Sequence, residues 1–180
     1  MSPAGVVLLG VPGAGCSSVG RVLADTRGAA LFDVGQETAR ALGTTPELAL
    51  VAVPEERYRQ TLASTALKAI LRAEQEGAVV ALGSGCLSDQ AVQDALVRAT
   101  AAGVRLVHLT ASVRRLATRN GMDAPRSVAL GNVRQTFTRM LRERESACAR
   151  TGAAAVDTTD TTPAQAAAVI AALDSGRSSP

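Results

Sequence analysis

Aromatic side chains are almost missing from this chain of 180 residues, which has no tryptophan, one tyrosine and two phenylalanines. Its core must therefore be built from Val, Leu, Ile and Ala, which fits a hydrophobic content of 47% and a charged content of only 19%. Single-stranded nucleic acid is bound by aromatics interleaved with basic residues, and no such stripe accompanies the net charge of +3. We expect no nucleic-acid partner.

Lysine is also scarce, since Lys68 is the only one in the chain and arginine supplies the remaining positive charge. A planar guanidinium suits two-point capture of carboxylate or phosphate groups. The composition is therefore compatible with a small-molecule anion as the ligand.

Cysteines are few, and Cys16, Cys86 and Cys148 are odd in number and far apart. They form no C-x-x-C pair and have no neighbouring histidine pair. We therefore expect neither a disulfide framework nor a zinc site. The first apolar run is broken by Gly10 and Pro12 and has no basic segment before it, which argues against a signal peptide or a membrane span. We expect a cytoplasmic protein without a membrane partner.

Short apolar runs alternate with helical patterns along the chain. Strands are predicted at 6–9, 29–32, 78–82, 104–109 and 153–156. Helices are predicted at 16–26, 36–42, 54–76, 88–101, 111–119, 127–150 and 163–173, with 46–53 ambiguous. This alternation predicts a three-layer α/β/α fold with a five-stranded parallel sheet in one domain, residues 1–174, followed by a disordered tail at 175–180.

Residues 6–20, VVLLGVPGAGCSSVG, join the first strand to the first helix through a glycine-rich turn. Gly10, Gly15 and Ser17 fit the phosphate-binding pattern G-x-x-x-x-G-K-[ST], but Cys16 stands where the lysine belongs. Backbone amides of such a loop still offer an anion site. The expected phosphate-binding residues are Gly10, Gly13, Ala14, Gly15, Cys16, Ser17 and Ser18.

Two further features follow predicted strands, Asp33 after the second and Gly83-Ser84-Gly85 after the third. Parallel sheets of this kind bind ligands at the carboxyl ends of their strands. We therefore expect both features to share one site with the glycine-rich loop.

Nearly the whole chain resembles the shikimate kinase family. Besides the loop, other motifs match the family in order and spacing. Phe32-Asp33-Val34-Gly35 lies at the family's Asp-x-Asp, Tyr58-Arg59 at its Phe-Arg, and Gly83-Ser84-Gly85 at its triple-glycine turn. Arg119 and Arg126 lie before and within its lid, and Arg144 lies on its long helix. The resemblance implies a P-loop NTPase fold like that of nucleoside monophosphate kinases. It also implies the reaction ATP plus shikimate giving ADP plus shikimate 3-phosphate, with Mg²⁺ and ATP as cofactors.

The resemblance also implies a role for each matching residue. Arg59, Gly83, Ser84, Gly85 and Arg144 would hold shikimate or a similar anion. Ser17 and Asp33 would serve the magnesium, Arg126 would close over the phosphates, and Arg119 would lie against the adenine. Asp33 and Arg126 are thus the expected catalytic residues.

Departures from the family pattern affect both ends of phosphoryl transfer. Cys16 cannot supply the lysine's charge, and Gly35 replaces the second aspartate of Asp-x-Asp, the natural base or orienter. Leu62 replaces a glutamate three residues after Phe-Arg, and Ser84 replaces the middle glycine of the triple-glycine turn. The first hypothesis is therefore a catalytically impaired homologue, a monomer or a partner of an active enzyme, that binds a shikimate-like anion.

Two alternatives stay open. One is an active shikimate kinase in which an arginine, such as Arg21 or Arg126, replaces the lysine, because Lys68 lies in a predicted helix away from the loop. The other is a non-catalytic module that binds a different small anion or regulates a partner.

Cys16 itself admits two interpretations. A thiol at a helix N-terminus can have a lowered pKa and be reactive, or it can be a small residue tolerated once the lysine is not needed, which we favour. Cys86 and Cys148 are predicted to be buried, and His108 is predicted to lie in the core with a backbone partner.

Overall fold

Strand β1 (Val6–Leu9) lies at the centre of a five-stranded sheet in the order β2-β3-β1-β4-β5. The other strands are β2 (Leu31–Asp33), β3 (Val79–Ala81), β4 (Arg105–Thr110) and β5 (Ala154–Asp157). All four strand pairs are parallel. This computed structural model describes residues 4–122 and 130–175, with side chains for 4–122 and 133–173. The predicted parallel α/β sheet is confirmed.

Helices connect the strands. They are α1 (Cys16–Arg27), α2 (Val34–Ala41), α3 (Ala49–Ala52), α4 (Glu55–Glu76), α5 (Gln90–Ala101), α6 (Val113–Arg119), α7 (Leu130–Arg150) and α8 (Pro163–Ser175). A 3₁₀ helix at Ser84–Ser88, which the sequence patterns did not predict, follows β3. The ambiguous stretch 46–53 contains the short α3.

Both faces of β1 are covered, and all four of its residues are fully buried. Leu8 packs in a cluster with Leu23 of α1, whereas Val7 packs in a second cluster with Ile70 of α4. A strand buried on both faces needs apolar residues at every position, which explains the unbroken run VVLL.

Capping side chains determine where two helices begin. Asp33 Oδ1 accepts a hydrogen bond from the Gln36 N–H at 3.2 Å, so α2 begins at Val34, two residues before the predicted start. Ser112 Oγ accepts one from the Arg115 N–H at 3.3 Å, so α6 begins only after it. Such caps satisfy first-turn N–H groups that have no acceptor within the helix.

Several predicted features lie partly or wholly outside the described residues. They include the start of the helix predicted at 127–150 and all but the first residue of the predicted tail at 175–180, which stays a prediction. Among the helices that are described, none combines the length and apolarity needed to cross a membrane.

Candidate functional site

A cleft of about 620 Å³ opens at the carboxyl edge of the sheet. It brings together the loop after β1, the end of β2, the turn after β3 and residues of α4, α6 and α7. Its lining includes residues 10–19, Asp33, Gly35, Tyr58, Leu62, residues 81–86, Arg119, Arg144, Thr158, Thr161 and Thr162. Among the residues that the structure describes, every predicted site residue except Arg59 lines this cleft.

Glycines shape the loop between β1 and α1. Gly15 has a φ of 104°, a left-handed conformation that a side chain disfavours, and it directly precedes α1. A Cβ at Gly10 would lie 3.0 Å from the Leu109 carbonyl oxygen, so the chain passes too close to β4 for any side chain there. The Val19 N–H donates to the Gly15 carbonyl at 2.9 Å, which leaves the preceding N–H groups of α1 for an anion.

Thr158, directly after β5, contacts the backbone of this loop and was not predicted as a site residue. Its buried hydroxyl lies 2.8 Å from the Ala14 carbonyl oxygen and 3.0 Å from that of Thr110. Arg119 donates to the Gly13 carbonyl at 2.9 Å and to the Thr158 carbonyl at 2.6 Å. The only sequence signal was a hydroxyl residue directly after a strand.

Arg119 is therefore partly engaged in holding the loop. Its guanidinium lines the cleft while donating to backbone oxygens on the loop and on β5. Its predicted position against an adenine stays a prediction.

Cys16 occupies the first position of α1 and faces the cleft. Burial raises the pKa of its thiol to about 12, with smaller contributions from Cys148 and Asp33. A backbone hydrogen bond from Gly83 lowers that pKa only in part. The raised pKa argues against the hypothesis of a reactive thiol with a lowered pKa, because burial outweighs the effect of the helix N-terminus.

The acidic side of the cleft holds one carboxylate where the family pattern has two. Asp33 Oδ1 caps α2, while Asp33 Oδ2 is buried without a hydrogen-bond partner. A Cβ at Gly35 would lie 3.4 Å from Asp33 Oδ1, so a side chain could fit there, but none is present. Among the described side chains, the hydroxyl of Ser84 is likewise buried and unpartnered.

These oxygen donors suit a hard cation. The free Asp33 Oδ2 and the exposed hydroxyl of Ser17 are the kind of ligand that Mg²⁺ takes, with water and phosphate oxygens completing its shell. Within residues 4–122 and 130–175 no group of three His, Cys, Asp or Glu side chains could hold a metal alone. The residues present therefore fit magnesium brought with a nucleotide.

The opposite side of the cleft carries Tyr58, Leu62 and Arg144. Burial raises the pKa of Tyr58, and the charge of Arg144 acts in the opposite direction. Arg59 is exposed and lines a neighbouring pocket of about 100 Å³. The predicted pair of arginines is therefore split between two adjoining pockets that share Leu62, Gly85 and Cys86.

Two of the other candidate cations, Arg21 and Lys68, do not reach the loop. Arg21 and Lys68 are exposed, and neither lines the cleft. Arg126 lies outside the described residues, so its predicted role stays a prediction.

His108 was predicted to lie in the core, which its 4% exposure confirms, and its predicted backbone partner stays a prediction. Its Nε2 lies 3.0 Å from Glu145 Oε2 on α7, and the imidazole is buried. Glu145 directly follows Arg144, so this contact holds the helix that carries a cleft-lining arginine against β4.

A glycine-rich loop between a central parallel strand and a helix, opening on a cleft at the carboxyl edge of the sheet, defines a P-loop α/β protein. A family model described as shikimate kinase matches residues 12–174. The chain belongs to the shikimate kinase family, and the predicted resemblance is confirmed. Shikimate kinases use ATP and Mg²⁺, which are the cofactors of this chain if nucleotide binding is retained.

Related proteins align along most of the chain. It is 37% identical over 165 residues to a shikimate kinase from Thermobifida fusca, covering 92% of this chain and 91% of that protein. It is 34% identical over 163 residues to one from Streptomyces coelicolor, covering 91% of each.

Solved structures share the fold at lower identity. A shikimate kinase from Acinetobacter baumannii in complex with shikimate superposes with a TM-score of 0.83 at 21% identity, covering 99% of this chain and 97% of that one. A shikimate kinase from Bacteroides thetaiotaomicron gives a TM-score of 0.73 at 14% identity, covering 94% and 97%.

Alkylation with iodoacetamide across pH tests the state of the thiols. The pKa values of Cys16, Cys86 and Cys148 are each raised to about 12 by burial, so labelling of the folded chain should have its midpoint far above the ordinary value of 9.0. Because unfolding returns these thiols to that value, the free energy of unfolding should be constant below about pH 9 and fall as pH rises towards 12.

Mass spectrometry of each cysteine peptide gives the midpoints, and the urea-unfolded chain is the control, with all three labelling near the ordinary value. A midpoint at Cys16 in the folded chain that matches the unfolded one would contradict this assignment.

Proposed function

We propose that this chain is a shikimate kinase-like protein that is impaired in phosphoryl transfer and still binds shikimate or a related small carboxylate. The observation that supports it is the neutral thiol of Cys16 at the start of α1, where a P-loop kinase needs a cation. The ligand would lie between the turn after β3 and Arg144 of α7.

On the phosphate side, the amides of the loop remain, but no described residue takes the lysine's place at the loop. Among the described residues that line the cleft, the cations are Arg119 and Arg144. Arg119 donates to the Gly13 and Thr158 carbonyls, and Arg144 lies on the substrate side. Losing one preorganised electrostatic donor slows a reaction by about 10²–10³-fold.

On the acceptor side, Gly35 offers no carboxylate to orient or deprotonate a hydroxyl. Asp33 is beside it, but its Oδ1 caps α2 and its Oδ2 is the ligand best suited to magnesium. Losing a general base costs about 10²–10⁴ in rate. Both losses affect the same transfer step, so their costs do not simply multiply.

What remains would support binding. Arg144 and the backbone of residues 83–85 would hold the carboxylate and ring, with Arg59 reaching in from the adjoining pocket. Asp33 and Ser17 would hold magnesium, which with the loop amides would neutralise phosphate charge. Arg126 would close over the phosphates and Arg119 would lie against the adenine.

The setting proposed for this activity is the cytoplasm, with the chain acting as a monomer or beside an active homologue. Its three free cysteines, two of them buried, suit a reducing compartment. Recognition of a different small anion, without catalysis, would use the same cleft.

A working kinase is the second candidate, and the position of Arg119 favours it. This arginine lines the cleft on the loop side and could exchange a carbonyl partner for a phosphate oxygen. The loose transition state of phosphoryl transfer would ask little of a base.

The substitution Cys16→Lys tests the proposal by gain of function. We expect turnover with shikimate in a coupled ADP-release assay to rise about 10²–10³-fold, because the lysine restores the missing donor. Cys16→Met is the matched control, since it lengthens the side chain without charge and should give no gain. Wild-type turnover within tenfold of an ordinary kinase, roughly 1–100 per second, would contradict impairment.

Calorimetric titration with shikimate tests the binding site. Arg144→Ala should weaken binding at least about tenfold, because a charge-assisted hydrogen bond to the carboxylate is lost. Arg142→Ala, an exposed arginine on the same helix, is the control and should leave the affinity unchanged. Saturable binding with equal affinity in both variants would remove this site from the proposal.

A further inference from the structure

A second cavity, of about 470 Å³, lies on the other side of the 3₁₀ helix from the cleft. It is bounded by that helix, α5, β4 and the C-terminal end of α7. Its lining consists of Leu87, Gln93, Leu96, Val97, Thr100, Ala101, Leu106, Ala147, Arg150 and Thr151. It shares no lining residue with the cleft, so a ligand could occupy it independently.

The floor of this cavity is aliphatic. Leu87, Leu96 and Leu106 are 5%, 2% and 8% exposed, so they form a fixed apolar base. Val97, 71% exposed, stands at the rim. The volume of this preformed apolar cavity lies within the range of small-molecule sites.

Most polar groups around the cavity are already used within the protein. The Thr100 hydroxyl donates to the Leu96 carbonyl at 2.8 Å, and the Thr151 hydroxyl donates to the Cys148 carbonyl at 2.6 Å. The Gln93 amide donates to the Leu87 carbonyl at 2.8 Å. These groups therefore contribute little to the recognition of a ligand.

Arg150 differs from the other lining residues. It is exposed, it is the charged residue of the lining, and no carboxylate of the described part of the chain forms an ion pair with it. A guanidinium at the mouth of an aliphatic hollow favours a ligand whose one end is apolar and whose other end is a planar anion.

We propose that this cavity, defined by the 3₁₀ helix, α5 and α7, is a second ligand site that takes a small amphipathic carboxylate. Its apolar body lies on Leu87, Leu96 and Leu106, and its carboxylate pairs with Arg150. The site does not depend on phosphoryl transfer or on shikimate binding.

The probe is 1-naphthylacetate, which has a bicyclic apolar body and one carboxylate, and the neutral 1-naphthylacetamide is its matched control. Titration of the ¹⁵N-labelled chain followed by NMR should show saturable shifts at Leu87, Val97 and Ala147. The amides of residues 13–18 should not move. The acid should bind about two- to fivefold more tightly than the amide, the size expected for an exposed ion pair.

Two variants and one control test the contribution of the charge and that of the cavity separately. Arg150→Gln should remove the preference for the acid, whereas Arg142→Gln, on the same helix but outside the lining, should keep it. Ala101→Trp, at an exposed lining position, should fill the cavity and abolish binding of both probes.

The proposal is overturned by any of three results. These are shifts centred on residues 13–18, an acid preference that survives Arg150→Gln, or no saturable binding up to the solubility limit of the probe. Because the readout is the shift at the cavity itself, a failure of shikimate binding or of turnover leaves it unaffected.

Discussion

A backbone hydrogen bond joins the two halves of the site: the Ser84 N–H donates to the Gly10 carbonyl at 2.8 Å. It ties the turn after β3 to the start of the loop after β1. It forms because β1 and β3 are paired parallel strands that end at one level. A Cβ at Gly10 would meet Ala14, Cys16 and the Leu109 carbonyl oxygen, so this end of the contact requires a glycine. The segments on the two sides of this contact therefore line one cleft rather than two separate surfaces, and a substitution in either segment affects that cleft.

Much of the fold could be predicted from local patterns. The run Val6–Leu9 signals a strand buried on both faces, and glycines and capping residues mark most helix ends within about two residues. The 3₁₀ helix at Ser84–Ser88 was missed because its sequence SGCLS, with one glycine and two serines, carries no helical periodicity. The site was predicted as a group because residues after parallel strands meet at one edge.

Contacts between distant segments were beyond prediction. The role of Thr158 depends on β5 lying next to the loop, and the contact between His108 and Glu145 depends on how α7 packs against β4. Cys16 shows the difficulty most directly, because its position at a helix N-terminus predicts a lowered pKa and its burial raises it to about 12. Burial is a tertiary property, so no local pattern reports it. The position of Arg59 in the adjoining pocket is likewise a tertiary property.

The central claim is that Cys16 and Gly35 each replace a residue that the same phosphoryl-transfer step needs. A double-substitution cycle tests this claim most directly. Wild type, Cys16→Lys, Gly35→Asp and the double variant are compared for phosphoryl transfer to shikimate. The account predicts that the double variant is fastest and that the two gains are not additive in free energy, as for groups that act on the same transition state. A wild-type rate equal to that of the double variant would contradict it.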